Sequence, residues 1–334
     1  MKSKSRALPL GQLLRLTAEK HPQVAFRRHA DDSLERREFA AAEIERRAER
    51  HTELWLASGL GESARVGMVA APEPEIVAAI VGAVRAGLEV VLLSPSLAAP
   101  QIAATSALVR AQALAGPAEF AGLDYAKRLA EARAATPAMS WLMLWEPDRP
   151  RLFRLDNGQP IESAPPLEEG EAGLAVISGS RLKALHAPCL NAAAADMMDA
   201  MGLAPGETIL SLVSPASPAG LAAGIHAPLV SGAKLTWQAP FSAMRLDEEL
   251  SVRPRAHLVA PAVIAAGLGR AGLLSPYRLA SLTLIVSEGD PMPYFDTDLE
   301  PDRVFLLDSD LNGPWPLSRF SGDPLSDRED EDPS

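Results

Sequence analysis

A chain of 334 residues, 47% hydrophobic and only 5% aromatic, can bury one large core or two medium ones built mainly from Ala, Leu and Val. Its net charge of −11 argues against a nucleic-acid partner, because a phosphate backbone rewards a basic face and no Lys/Arg cluster supplies one. The single cysteine, Cys189, excludes an intrachain disulfide and a Cys-rich metal site, and fits a reducing, cytoplasmic setting. The basic start, residues 1–16, has no continuous apolar run and does not read as a signal peptide. The most apolar region, 66–95, is interrupted by Pro72, Glu73, Pro74, Glu75, Arg85 and Glu89, so no membrane span is expected.

Residues 10–20 predict a first helix that ends near His21-Pro22, and 24–27 a strand. Residues 38–58 predict an amphipathic helix, with Phe39, Ala42, Ile44, Ala48, Leu54 and Leu56 on the apolar side. Glu43, Arg46, Arg47, Glu49 and Arg50 are placed on its solvated side, and Gly59 supplies the stop. A strand over 65–70 is followed by a helix over 72–86, with acids in the first turn and Arg85 in the last, as the helix dipole prefers. Gly87 ends it, and 88–93 is a second buried strand. Further helices are expected at 100–109 and 125–134, and strands at 111–115 and 140–145. Asn157-Gly158 suits a tight turn and predicts a hairpin over 151–162. The polar, Pro-rich, acidic stretch 163–170 reads as a linker.

The second half repeats the rhythm. Strands are expected at 173–177, 208–213, 233–237, 257–259, 282–286 and 303–307, and helices from about Leu190, at 219–230, at 242–250 and at 261–269. An internal echo links the halves: helix, Gly87, strand 88–93, Pro95 matches helix, Gly232, strand 233–237, Pro240. The fold class is therefore α/β, two lobes of mostly parallel sheet flanked by helices. The expected division is a first lobe over 1–165, a second lobe over 166–320, and an acidic disordered tail over 321–334. Any site should lie at the carboxyl ends of strands, near the cleft between lobes.

Four stretches draw attention as sites. In the first, an apolar strand runs into Ser178-Gly179-Ser180, followed by Arg181 and Lys183 and then an Ala-rich helix. Strand, small-residue turn, cation and helix is an arrangement that holds phosphate, through backbone N–H groups and a helix N-terminus. Its bland alternative is an ordinary strand-to-helix turn with two solvated cations. The second is Ser214-Pro215-Ala216-Ser217-Pro218-Ala219-Gly220-Leu221, the third Val286-Ser287-Glu288-Gly289-Asp290-Pro291-Met292, and the fourth Leu307-Asp308-Ser309-Asp310-Leu311-Asn312-Gly313-Pro314. The bland alternatives are a Pro-rich loop that starts a helix, a surface turn, and a pair of acids capping a loop.

Taken in this order, these stretches resemble the adenylate-forming superfamily of acyl- and aryl-CoA synthetases, nonribosomal-peptide adenylation domains and luciferases. The resemblance runs from about Leu10 to Gly313, and Gly59, Gly61, Val66, the run to Gly87, and Ser94-Pro95 match the start of that family's fold. Its phosphate loop reads roughly T/S-S-G-T/S-T-G-x-P-K-G. Ser178, Gly179 and Ser180 match it, while Arg181, Leu182, Ala184, Leu185 and His186 stand where the family has Thr, Gly, Pro, Lys and Gly. The resemblance implies nucleotide or phosphate contacts at Ser178, Gly179, Ser180, Arg181 and Lys183, an adenine or acyl pocket at Ser217, Gly220, Glu288, Gly289 and Asp308, and Mg²⁺ at Asp310. ATP or AMP with Mg²⁺ are the cofactors it implies; the residues themselves name none.

Two departures shape the functional expectation. Leu182 puts a branched side chain where the family's backbone touches phosphate, and Leu185 removes its lysine. Charge-assisted hydrogen bonds contribute about 1.5–3 kcal/mol each, so losing two weakens nucleotide binding roughly 10²–10⁴-fold. The chain also ends soon after the fourth stretch, which implies that the family's β-barrel subdomain and its C-terminal domain with a catalytic Lys are lacking. The expectation is a protein without catalytic residues of its own: a weak binder of a small carboxylate or nucleotide, or an accessory partner of an active synthetase or carrier protein. An active ATP-dependent carboxylate ligase that uses Arg181 or Lys183 as a substitute cation is the first alternative, and a pure interaction module the second. His186, His226 and His257 lack metal-ligand spacing and read as structural, and Cys189 has no partner in the sequence that would make it a nucleophile.

Overall fold

The computed structural model describes residues 8–29, 37–146, 150–154, 173–178, 181–253, 255–287, 295, 297–311 and 317–319. Helix α1 (Leu10–Lys20) is followed by strands β1 (Ala25–His29) and β2 (Arg37–Ala40) and helix α2 (Ala41–Ser58). Next come β3 (Arg65–Val69), α3 (Pro74–Arg85), β4 (Glu89–Leu93), α4 (Ala99–Leu108) and β5 (Ala113–Pro117). A short ribbon, β6 (Glu119–Phe120) and β7 (Leu123–Asp124), leads into α5 (Tyr125–Ala134), β8 (Trp141–Trp145) and β9 (Pro150–Arg154). The second half holds β10 (Leu174–Ser178), β11 (Arg181–Leu185), α6 (Ala187–Met201) and β12 (Thr208–Ser211). A broken helix follows, α7 (Pro218–Leu221), a π-helical turn (Ala222–His226) and α8 (Ala227–Ser231). The chain continues through β13 (Lys234–Gln238), α9 (Ala243–Val252), β14 (Ala256–Pro261), a 3₁₀ turn (Ala262–Ile264), α10 (Ala265–Arg270), β15 (Leu279–Val286), β16 (Val304–Asp308) and β17 (Leu317–Arg319).

Among the described residues, two large sheets form. One has the order β17-β16-β15-β14-β12-β13-β1-β2, the other β11-β10-β4-β3-β5-β8-β9. The inner strands of both run parallel, and the outermost strand on each edge runs antiparallel. Alternation along the strands sorts side chains into layers. Val66, Met68, Val90 and Leu92 of one sheet share a core with Ile209, Leu235, Trp237 and Val259 of the other, and with α2, α3 and α6. Val69, Val91 and Leu114 face the opposite way, under α4 and α5. Leu210, Leu258, Leu282 and Leu284 face away from the shared core too, under α9 and α10. The result is five layers, helix–sheet–helix–sheet–helix.

The echo noted in the sequence marks equivalent places in these sheets. Strand β4 lies beside β3 as β13 lies beside β12, with β5 and β14 on the other sides. The expected division at residue 165 does not separate the sheets, however. The pair β1–β2, from the first half, completes the second-half sheet next to β13, and the pair β10–β11, from the second half, completes the first-half sheet next to β4. The turn after Ser178 therefore belongs to the first sheet, not to a second lobe.

Several elements differ from expectation for local reasons. Residues 38–40 are strand, not helix: Glu38 pairs with Arg27 across β1–β2, and Phe39 packs on the shared core beneath the Arg47 guanidinium, 4.0 Å from its ring centre. Helix α2 starts at Ala41, and its buried stripe is Ala41, Ile44, Ala48, His51 and Trp55, which leaves Leu56 63% exposed. Strand β9 pairs back onto β8. The rest of the expected hairpin over 151–162, the linker 163–170 and the tail 321–334 lie outside the described residues. No helix among the described residues is long and apolar enough to cross a membrane.

Two of the acids that interrupt the apolar region 66–95 prove to be buried and paired. Glu73 and Glu75, at the start of α3, are 1% and 5% exposed. Trp145 Nε1 donates to Glu73 Oε1 at 2.6 Å, and Arg28, reaching over from β1, donates to Glu73 Oε2 at 3.3 Å. Arg47 and His51 meet the Glu75 carboxylate at 2.7 and 3.0 Å. Both acids also sit where the α3 dipole favours negative charge. Breaking a buried pair by removing one partner costs about 3–5 kcal/mol. Glu73→Ala is therefore expected to destabilise the fold by about that much in urea unfolding, whereas an exposed Glu53→Ala control stays within about 0.5 kcal/mol.

His226, on the π-helical turn, is fully buried and bonded through Nδ1 to Asn191 Oδ1 at 2.6 Å. Asn191 Nδ2 donates to the Leu8 carbonyl, so its oxygen is the acceptor and the neutral ring is the donor. Burial pushes His226 down from 6.5 to about 3. His257 is lowered too, by burial, with Glu207 opposing. Between the folded and unfolded pKa the unfolded chain binds the extra proton, so this stability is present above about pH 6.5 and is lost as the pH falls towards 3. At pH 5 the His226 loss is about 2 kcal/mol. His226→Gln is expected to flatten the decline in unfolding free energy between pH 7 and pH 5 by about that amount; an unchanged slope would rule this origin out.

Candidate functional site

The carboxyl ends of the parallel strands bring the candidate stretches to one rim. Ser178 ends β10, the Ser214–Gly220 stretch follows β12, Ser287 follows β15, and Asp308 ends β16. All four are stitched together by hydrogen bonds that run through the fourth. Lys183 Nζ donates to the Asp310 carbonyl at 2.6 Å. Ala219 N donates to the Ser309 carbonyl at 3.0 Å, and Ser309 N to the Val286 carbonyl at 2.9 Å. A fourth bond, Ser214 Oγ to the Ala70 carbonyl at 2.7 Å, ties the second stretch to the end of β3 in the other sheet.

The first stretch departs from its expected shape. Ser178 pairs with Arg181, and the ladder continues through Ile177–Leu182 and Val176–Lys183 to Leu174–Leu185. Only two residues, 179 and 180, separate the paired strands; they lie outside the described residues. The expected strand–turn–helix is thus a strand–turn–strand. Helix α6 starts only at Ala187, after the length of β11, roughly 15 Å at 3.3–3.4 Å per residue, and its N-terminus does not serve the turn. Alternation explains the substituted residues. Leu182 packs on the outer core under α4 and α5, and Leu185, 6% exposed, packs into the core between the sheets. Lys183 is partly buried on the inward side, and Arg181 is exposed at the turn.

The second stretch is a capped turn. Ser217 Oγ accepts from Gly220 N at 3.1 Å at the start of α7. Gly220 is buried, and a Cβ there would collide with the Ser214 carbonyl oxygen. In the fourth stretch, Asp308 Oδ1 accepts from Asp310 N at 2.7 Å and the Asp308 carbonyl accepts from Leu311 N at 3.1 Å. Leu311 holds a left-handed φ of 53°. Asp310, the residue that the resemblance gives to Mg²⁺, thus lies in a hydrogen-bonded turn with Asp308 from the implied pocket, and among the described residues no three His, Cys, Asp or Glu side chains converge as metal ligands. This donor set does not make a metal site by itself. Glu288 and Gly289 lie outside the described residues.

Sequence reading missed the polar cluster at the carboxyl end of the first sheet, where Glu73, Trp145 and Arg28 meet, with Arg28 5.1 Å over the Phe120 ring centre. Its only signal was a pair of acids flanking Pro74. Two cavities lie apart from the rim. One of about 70 Å³ sits among Leu13, Thr17, Met198 and Leu229, and one of about 260 Å³ among Arg27, Glu38, Lys234 and Arg253.

No family model matches the sequence, and no curated protein does. Solved structures share its architecture. A benzoate CoA ligase from Burkholderia xenovorans LB400 superposes with a TM-score of 0.66 over 90% of this chain and 60% of its own, at 16% identity. The N-terminal domain of FACL13 from Mycobacterium tuberculosis gives 0.64 over 86% and 71%, also at 16% identity. Apo MatB from Rhodopseudomonas palustris gives 0.63 over 85% and 55%, at 14% identity.

The fold is that of the N-terminal domain of CoA ligases. The chain spans about 55% of the length of MatB, 56% of an anthranilate CoA ligase and 54% of a mycobacterial fatty acyl CoA synthetase. Within this CoA-ligase-like fold, Gly220 is a steric requirement of the rim. Gly220→Ala is expected to cost about 1–3 kcal/mol, read as a lowered unfolding midpoint, because the Ser214 backbone must move. The same change at Gly267, which has open space around it, should be nearly silent.

Proposed function

We propose that this CoA-ligase-like protein is a weak binder of a small carboxylate or nucleotide that does not form acyl-adenylate, and that it works as an accessory partner of an active synthetase or carrier protein. The observation that carries this reading is the closure of β10–β11 over two residues. A triphosphate loop presents several free backbone N–H groups. Here the residues aligned with the second half of such a loop are paired in a strand, where alternate N–H groups are committed to the ladder. The family's lysine position is a buried leucine, and Lys183 is bonded to a backbone carbonyl. Arg181 remains as an exposed cation on the rim and is the group assigned to the ligand's negative charge. Exposed Phe241, Met244 and Val263, which follow β13 and β14, support a protein partner on the same rim. A cytoplasmic setting suits the free, exposed Cys189.

Two measurements test the reading. ATP–pyrophosphate exchange driven by a panel of aliphatic and aromatic acids is expected to stay at background; exchange above background would identify an active ligase instead. Thermal-shift titration with AMP, ATP and the same acids at 10 mM is expected to raise the melting temperature by about 2 °C for a ligand with a Kd on the order of 1 mM. Arg181→Ala should abolish that rise. No shift with any compound would leave the interaction-module reading in its place.

A further inference from the structure

We propose that the cavity of about 260 Å³ on the outer face of the second sheet binds a phosphate group, carried as free phosphate or as a small phosphate monoester. Strand alternation builds it. Leu235 and Trp237 of β13, Phe26 of β1 and Ile209 of β12 point into the core between the sheets. Their neighbours Lys234, Thr236, Arg27 and Thr208 therefore stand on the opposite face. The register sets Thr208 beside Lys234, and Thr236 beside Arg27, with Glu38 of β2 next in the row. The two rows are about 7 Å apart along the strands. Arg253, the residue after α9, supplies a further wall. Thr208 and Lys234 begin their strands, so the cavity lies at the amino ends of the sheet, whereas Arg181 and the candidate stretches lie at carboxyl ends. The site is separate from the rim and does not rest on the reading of the hairpin.

Three of the lining side chains are cations and one is a carboxylate, in a chain whose net charge is −11. The pairs Arg27–Glu38 and Arg253–Glu249 account for two of the cations. Lys234 has no ion pair among the described residues and leaves one positive charge over. Neither guanidinium is used up by its partner. Glu38 accepts from Nε and Nη2 of Arg27, and Glu249 from Nη1 of Arg253, while a guanidinium carries five N–H donors. The two arginine side chains are 20% and 21% exposed, so their charges are screened less than those of a solvated arginine.

Two guanidinium groups, one ammonium group and the hydroxyls of Thr208 and Thr236 thus border one space. A carboxylate offers them two oxygens, whereas a phosphate group offers at least three and takes bidentate bonds from arginine. Cavities that hold drug-sized ligands measure about 300–1,000 Å³, so this one suits a small phosphate and not a nucleotide. A phosphate bound here ties β1, which comes from the first half of the chain, to β13 and to the end of α9. Glu38, the one acid of the lining, competes with it for Arg27.

Titration calorimetry with inorganic phosphate, phenyl phosphate and acetate at low salt tests this. Phosphate or phenyl phosphate is expected to bind, and acetate at least tenfold more weakly. Binding of phosphate alone assigns the site to the free ion, and binding of phenyl phosphate assigns it to a monoester. Lys234→Gln, at an exposed position, should weaken binding roughly tenfold, the effect of one charge-assisted hydrogen bond. Glu38→Gln should tighten it roughly fivefold, the effect of one like charge removed at salt-bridge distance. A merely structural Glu38 would not give that opposite sign. Arg181→Ala should bind as the wild type does. No binding of either phosphate, acetate binding as tightly, or affinity unmoved by Lys234→Gln and Glu38→Gln overturns the site. Loss of binding in Arg181→Ala overturns it too, and assigns the phosphate to the rim instead.

Discussion

Each sheet is finished by two strands from the other half of the chain, and the rest of the structure depends on that exchange. Strands β1 and β2 lie beside β13, and β10 and β11 beside β4, so neither half can complete its own sheet. The exchange also places the inward faces of both sheets against one helical layer, and a single core runs through α2, α3 and α6. A parallel strand buried on both faces needs such cover, because its backbone polar groups and its apolar side chains are otherwise exposed. The charged groups found inside are consistent with this geometry. Arg28 rides in on β1 and meets Glu73 and Trp145 of the first sheet, a junction that exists only because β1 crosses over.

The candidate rim is a product of the same exchange. Strand β11 is the outermost strand of the first sheet, and its inward face meets the end of β16 in the second. Lys183 therefore bridges sheets where a strand–turn–helix would have left it facing solvent. Backbone N–H groups engaged in a strand ladder are not free to surround phosphate. Arg181, the first residue of β11, is exposed. CoA ligases share this fold, and a fold does not by itself carry a chemistry, which resides in particular side chains and loops.

Much of the fold was legible in the sequence. Helices 10–20 and 125–134 followed from periodicity, and the helix stops at Gly59 and Gly87, both of which hold a left-handed φ, from glycine's place after a helical pattern. The echo between the strands before Pro95 and Pro240 identified equivalent places in the two sheets. Reading failed where a residue's role depended on a distant partner. Arg47 looked solvated because helical spacing says nothing of the Glu75 carboxylate from another helix. Phe39 and Glu38 looked helical because a short apolar–polar alternation just before a helix has the same local signature as its first turn.

The sequence by itself determined the alternation of strands and helices, the apolar faces that make five layers, and the small-residue turn followed by two cations, since each is set by spacing and by residue type within about ten positions. The tertiary structure alone decided which sheet each edge pair joins, that residues 181–185 are a strand rather than the approach to a helix, and that Lys183 meets a carbonyl 127 positions away. The physical reason is that strand pairing and buried charge are satisfied by whatever the fold brings alongside, and a linear pattern carries the need for a partner but not its identity.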